Sequence, residues 1–185
     1  GGLIGTAAGL RDQPTHLSLR LDGPASGARL EAQGRIGPEV SLTLAGTLRA
    51  GADRAYGVVL DGEVAAGPLL PPALRPVASP FTLHLDAALS PAQRLTLTEA
   101  RFAIPGGVLR LTGSADLPAN TVDVAYAVTV PESARFGTLV PAIARWQALR
   151  AEGRVQGPVT APHVAADAAV TGFGSDTPQL SALLG

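Results

Sequence analysis

The chain of 185 residues has no Cys, which excludes disulfides and thiolate metal sites and fits an oxidising compartment. Its formal net charge is -1, with every basic residue an Arg, so it carries no electrostatic footprint for nucleic acid. Hydrophobic residues make up 46% but aromatics only 4%, so the apolar material is Leu, Val and Ala. Met is also absent, which leads to the expectation of an excerpt from a longer chain.

Strict alternation of apolar and polar residues runs through the chain, and alternation means strands with one buried face. In THLSLRLD, Leu17, Leu19 and Leu21 share a face opposite His16, Ser18 and Arg20. VSLTLAGTL sets Val40, Leu42, Leu44, Gly46 and Leu48 against Ser41, Thr43, Ala45 and Thr47. The apolar stretch VAAGPLLPPAL (64–74) is broken by prolines and is far short of the roughly 18 residues of a membrane-crossing helix. FTLHLDAAL sets Phe81, Leu83, Leu85 and Leu89 against Thr82, His84 and Asp86. TVDVAYAVTV does the same with Val122, Val124, Tyr126, Val128 and Val130. RFGTLVPAIARWQAL holds apolar residues at helical spacing, but Pro141 limits it to a short turn or a helix starting near that proline. Leu149, Ala151 and Val155 then face away from Arg150, Glu152, Arg154 and Gln156. The final TPQLSALLG reads as the start of a helix or a cut end. Gly and Pro fall mainly between these runs, where turns are expected.

An internal repeat emerges from the same pass. AYGV (55–58) recurs as AYAV (125–128), and GPLLPPALR (67–75) matches GTLVPAIAR (137–145), both at an offset of 70. The chain is therefore expected to be one repetitive β segment, 1–185, with units near 30–97 and 98–165. Each unit would hold four strands and one proline-containing turn or short helix. The two matched tyrosines are expected to fix the repeat register.

About ten strands of about 25 Å, spaced about 4.8 Å apart, present one face of roughly 1,200 Å². Soluble proteins rarely leave an apolar patch of that size uncovered. The sheet could fold over on itself, close into a barrel, or cover its face with an apolar ligand. A lipid-facing barrel wants aromatic girdles at both interfaces, which two Tyr and one Trp cannot supply.

Catalytic and metal chemistry find no foothold, so no enzyme, cofactor or metal is expected. His16, His84 and His163 fall on the polar parity of separate strands with no second ligand beside them. Gly172–Asp176 lacks the features of a phosphate loop and reads as a turn. Ser114 lies within an alternating strand rather than at a nucleophile elbow. Glu99 with Arg101, and Asp53 with Arg54, read as surface or turn charges. Trp146 is expected to pack, or to anchor a short helix against the rim of the sheet.

GRVQGPVTAPHVAADAAVTG (153–172), VLRLTGSADL (108–117) and FGTLVPAIARW (136–146) together resemble the TamB family, the inner-membrane subunit of the translocation and assembly module. That family belongs to the AsmA-like group of bridge-like lipid-transfer proteins. The resemblance covers most of the chain but rests on a degenerate pattern. It implies an all-β, elongated, U-shaped sheet with an apolar concave face. It further implies a periplasmic location, an inner-membrane anchor elsewhere in the full-length protein, phospholipid acyl chains as cargo, and an Omp85-type outer-membrane barrel as partner through other segments. Carried over by parity, Leu42, Leu44, Val58, Leu60, Leu83, Leu85, Leu109, Leu111, Val122, Val124, Val128, Val155 and Val164 would line the trough. The alternative is a structural closed β-solenoid or sandwich, of the adhesin or stalk kind, in which the same residues form a dry core.

Overall fold

The computed structural model describes residues 14–175, apart from 25, 38–39, 52–53, 67–69 and 141–143. Ten strands form one antiparallel sheet, each beside its predecessor in the chain. They are β1 (Thr15–Asp22), β2 (Ala28–Ile36), β3 (Val40–Ala50), β4 (Tyr56–Ala65), β5 (Phe81–Leu89), β6 (Arg94–Ile104), β7 (Gly107–Asp116) and β8 (Thr121–Val130), followed by β10 (Ala148–Pro158) and β11 (His163–Thr171). The two-residue strands β9 (Ala144–Arg145) and β12 (Gly174–Ser175) pair separately. Among the described residues, strands make substantial contact only with their sheet neighbours. The sheet is thus a single open layer, neither closed nor folded into a sandwich, and the closed alternative is not the arrangement found.

Tight turns join the strands at one rim. Gln93 and Asn120 adopt left-handed backbone there. The Gln93 N–H donates to the Ser90 carbonyl, and the Asn120 N–H to the Leu117 carbonyl. Two long connections, 66–80 and 131–147, lie at the opposite rim, and we call them straps. The first holds the single-turn helix α1 (Arg75–Ala78), and the second a 3-10 turn (Ser133–Leu139) that bends at Gly137. The backbone N–H of Gly106, in the β6–β7 turn, donates to the Val77 carbonyl at 2.7 Å. Trp146 stacks obliquely on Phe136 and donates from Nε1 to the Pro131 carbonyl at 2.8 Å, which pins the second strap to the end of β8.

Four strands and a strap (β1–β4, then 66–80) are followed by four strands and a strap (β5–β8, then 131–147). The expected boundary near 97/98 lies within β6. The matched tyrosines are not equivalent: Tyr56 opens β4 at the turn rim, whereas Tyr126 sits in the middle of β8. The described parts of the GPLLPPALR and GTLVPAIAR segments fall in straps. Pro141 lies outside the described residues, as does TPQLSALLG, and the described part of the second strap is a 3-10 turn rather than an α-helix.

What bends the sheet lies along its midline. The strand register aligns Leu21, Leu30, Gly46, Leu60, Leu85, Ala100, Leu111, Tyr126, Gly153 and Ala166 in one row across all ten strands. A Cβ on Gly46 would run into the Val59 carbonyl of β4, and one on Gly153 into the Ala165 carbonyl of β11. Gly113, one row away, would strike the Asp123 carbonyl of β8. A bulge in β6 falls beside the same line: Thr98 and Glu99 occupy the span that Thr112 alone fills on β7. Glycine kinks and bulges are the standard devices for bending strands. Set on one line across the sheet, they place the bendable points of a U-shaped open sheet along this row, which makes it the floor of a trough whose lips are the two rims.

Candidate functional site

The inner face of the trough is apolar from edge to edge. Directly opposed residues of antiparallel strands share a face, so the register reads it out row by row. On the strap side of the midline run Leu19, Ala32, Leu44, Gly62, Leu83, Phe102, Leu109, Val128, Ala151 and Ala168. On the turn side run Ala28, Leu48, Val58, Ala87, Leu97, Gly113, Val124, Val155 and Val164. Further rows carry Leu42, Val64 and Phe81 toward the straps, and Leu89, Leu95 and Val122 toward the turns. No charged side chain enters these rows. The phenol hydroxyls of Tyr56 and Tyr126 are their polar groups.

Every residue expected by parity to line the trough falls on this one face. Leu60, Leu85 and Leu111 are on the midline. Leu44, Leu83, Leu109 and Val128 flank it on one side, and Val58, Val124, Val155 and Val164 on the other. Leu42 and Val122 stand nearer the two lips. Sequence reasoning passed over the small residues between them. Ala28, Ala32, Ala87 and Ala100 are the buried members of the face, fenced by larger neighbours. It also missed the Phe81–Phe102 stack, with ring centroids 5.8 Å apart at the strap side. The leucines and valines themselves are mostly half-buried, sheltered by side neighbours, and among the described residues no second layer roofs them.

Glycines let neighbouring side chains settle into the floor. Leu44 of β3 fills the space above Gly62, and Leu60 of β4 the space above Gly46. The Tyr126 ring lies over Gly153, and its hydroxyl donates to the Ala165 carbonyl at 3.3 Å. The floor is therefore levelled by large residues lying across glycine gaps, which keeps it smooth.

The outer face is polar and carries cross-strand ion pairs. Arg154 grips Asp123 through two hydrogen bonds of 2.6 Å, and Gln156 adds a third at 3.2 Å. These contacts, Arg154 first, hold the Asp123 carboxyl below its ordinary range. Arg94 meets Asp116 at 3.0 Å, and His84 Nδ1 meets Asp61 at 2.7 Å. The Asp61 hydrogen bond pushes the His84 imidazole above its usual value.

The register also sets Asp86 against Glu99 and Glu152 against Asp167, carboxylate pairs that sequence spacing did not reveal. Glu152, Asp167 and Arg110 rim a shallow outer depression of about 480 Å³ floored by Ala125 and Ala127. It is open to solvent. Among the described residues no three His, Asp or Glu side chains are placed to hold a metal ion. His16, His84 and His163 lie on the outer face of β1, β5 and β11. Gly172 adopts left-handed backbone in a turn, and Gly174–Ser175 form β12. Ser114 lies within β7, and Glu99 sits in the β6 bulge.

Among the described residues, no helix is long and apolar enough to cross a membrane. Comparison with protein-family models, curated proteins and solved structures yields no match to this chain.

Proposed function

We propose that this chain is a section of a lipid-carrying trough, with acyl chains lying along the inner face between the two lips. The observation that carries the proposal is the unbroken run of apolar rows on a sheet that, among the described residues, has no second layer. An uncovered face of roughly 1,200 Å² forgoes on the order of 30 kcal/mol of transfer free energy. Such a face calls for an apolar cover, and a hydrocarbon chain fits because the floor has breadth and smoothness and its one polar group, the Tyr126 hydroxyl, is already engaged by the Ala165 carbonyl.

In this proposal the full-length protein is anchored in the inner membrane, spans the periplasm and delivers phospholipid toward the outer membrane, where an Omp85-type barrel is its partner. The chain performs no covalent chemistry. Cargo moves by sliding, because contact with Leu, Val and Ala is non-directional and offers no single well.

The test is binding of a phospholipid carrying a fluorescent acyl chain to the delipidated protein. Val124→Asp should abolish or sharply weaken binding, while Thr112→Asp, on the outer face of the adjacent strand, should leave it intact. Equal binding by both variants would overturn the proposal.

A further inference from the structure

The two lips of the trough differ in charge. The connections at the turn lip (23–27, 51–55, 90–93, 117–120 and 159–162) carry only Asp53 and Arg54, which cancel. Two arginines on the strands toward that lip are neutralised, Arg94 by Asp116 at 3.0 Å and Arg154 by Asp123 at 2.6 Å. The straps carry Arg75, Arg135 and Arg145 against Glu132 and, in the β2–β3 turn of the same rim, Glu39. Arg75 and Arg135 are exposed, and among the described residues neither meets a carboxylate. The Arg75 Nε donates to the Leu70 carbonyl at 3.1 Å, which leaves its other N–H donors available.

The straps bring these two arginines to one stretch of the lip. A Cβ at Gly106, in the β6–β7 turn, would stand 3.1 Å from Val77 Cβ of the first strap and 3.4 Å from the Phe136 ring of the second. Arg75 lies two residues before Val77, and Arg135 one before Phe136. Apolar side chains share this stretch: Leu74, Ile104 and Leu139 are exposed there. The Phe81–Phe102 stack lies on the inner face at the same side.

We infer, on the reading of the trough as lipid-carrying, that Arg75 and Arg135 receive the phosphate of a glycerophospholipid whose acyl chains enter over the Phe81–Phe102 stack. A guanidinium matches phosphate oxygens in geometry as well as charge and stays protonated. Exposed Leu and Ile beside exposed Arg is the composition of a membrane interface, where apolar groups meet the tails and cationic heads meet phosphate. The turn lip offers no such attraction. Because both arginines are exposed, their hold is weak, and the headgroup can leave as the tails slide on.

The test compares binding, by the delipidated chain, of a phosphatidylglycerol with a fluorescent acyl chain and of the diacylglycerol bearing the same chains. The phosphate should tighten binding about ten-fold. Arg75→Gln combined with Arg135→Gln should remove that gain and leave diacylglycerol binding unchanged, which also reports that the variant is folded. Arg54→Gln, at the turn lip, should keep the gain. A gain that survives in the double variant, or that Arg54→Gln loses equally, would overturn the assignment. Displacement of phosphatidylglycerol by an equal concentration of inorganic phosphate would overturn it too, marking a site for free phosphate. Equal binding of the two lipids by the parent chain would overturn the headgroup site and leave the trough standing. Binding of neither lipid would sink the trough and the headgroup site together.

Discussion

Tyr126 lies across Gly153 of the neighbouring strand, and its hydroxyl reaches over that glycine to the Ala165 carbonyl on the strand beyond. A Cβ at position 153 would stand 2.6 Å from the phenol oxygen and collide with the Ala165 carbonyl. Because the collision is with backbone, a rotamer change cannot relieve it. Gly153→Ala should therefore destabilise the chain by about 1–3 kcal/mol, the usual range for overpacking. Tyr126→Phe keeps the ring over the glycine and loses one hydrogen bond, about 1 kcal/mol or less. Urea denaturation of the two variants checks the order; a Gly153→Ala variant as stable as the parent would show that the strand is not kinked there.

Ala100 is the most buried residue of the inner face, 3% exposed between Leu85 and Leu111 on the midline. Its small size leaves room for the β6 bulge beside it. Ala100→Leu should cost about 1–3 kcal/mol by overpacking against backbone and neighbouring leucines. Leu111→Ala, at a half-buried site on the same row, should cost less than the 2–5 kcal/mol of a fully buried leucine. Midpoints from denaturant titration distinguish these from a flat sheet, on which Ala100→Leu would be tolerated.

Trp146 makes the second strap visible to spectroscopy, being the single Trp of the chain. Phe136→Ala removes the ring it leans on, and its emission should shift to the red while the circular dichroism of the sheet persists. Loss of both signals together would mean that the strap and the sheet form one cooperative unit.

The outer face should respond to pH in two windows. The Asp61 hydrogen bond raises the folded-state pKa of His84 above the ordinary 6.5. Its stabilisation is fully present below the ordinary value and is lost as pH rises through the folded one. Asp123 and Asp116 behave oppositely. Asp123 is lowered chiefly by Arg154, and Asp116 by the Ala119 backbone N–H and then Arg94. Their stabilisation is present above the ordinary carboxylate range and is lost as pH falls through their depressed values. All three pairs are solvent-facing, so each contribution is small and shrinks with salt. NMR titration should find the His84 pKa falling in Asp61→Asn; an unchanged value would remove the pair as its cause.

Much of this was legible in the sequence, for a physical reason. Alternation has a period of two, and in an antiparallel ladder parity survives from strand to strand, so Leu42, Val58, Leu83 and Val124 could be assigned to one face without knowing the register. The β6 strand shows where parity fails. Leu95 and Leu97 are odd-numbered, Ala100 and Phe102 even, and only the bulge at Thr98–Glu99 reconciles them on one face. The midline was likewise hidden, because Gly46, Gly62, Gly113 and Gly153 are scattered in sequence and line up only once the ladder is known. Carboxylate pairs such as Glu152 with Asp167 were invisible for the same reason. The three letters shared by AYGV and AYAV at a fixed offset do not occupy the same rung: Tyr56 opens β4 at the turn rim and Tyr126 lies on the midline of β8.

The most direct test of the trough is a parity scan with a photoreactive amino acid at Leu109, Arg110, Leu111 and Thr112, four neighbours on one strand. In cells, lipid adducts should form from 109 and 111 and not from 110 and 112. Adducts at all four positions, or none at Leu109 and Leu111, would contradict the account.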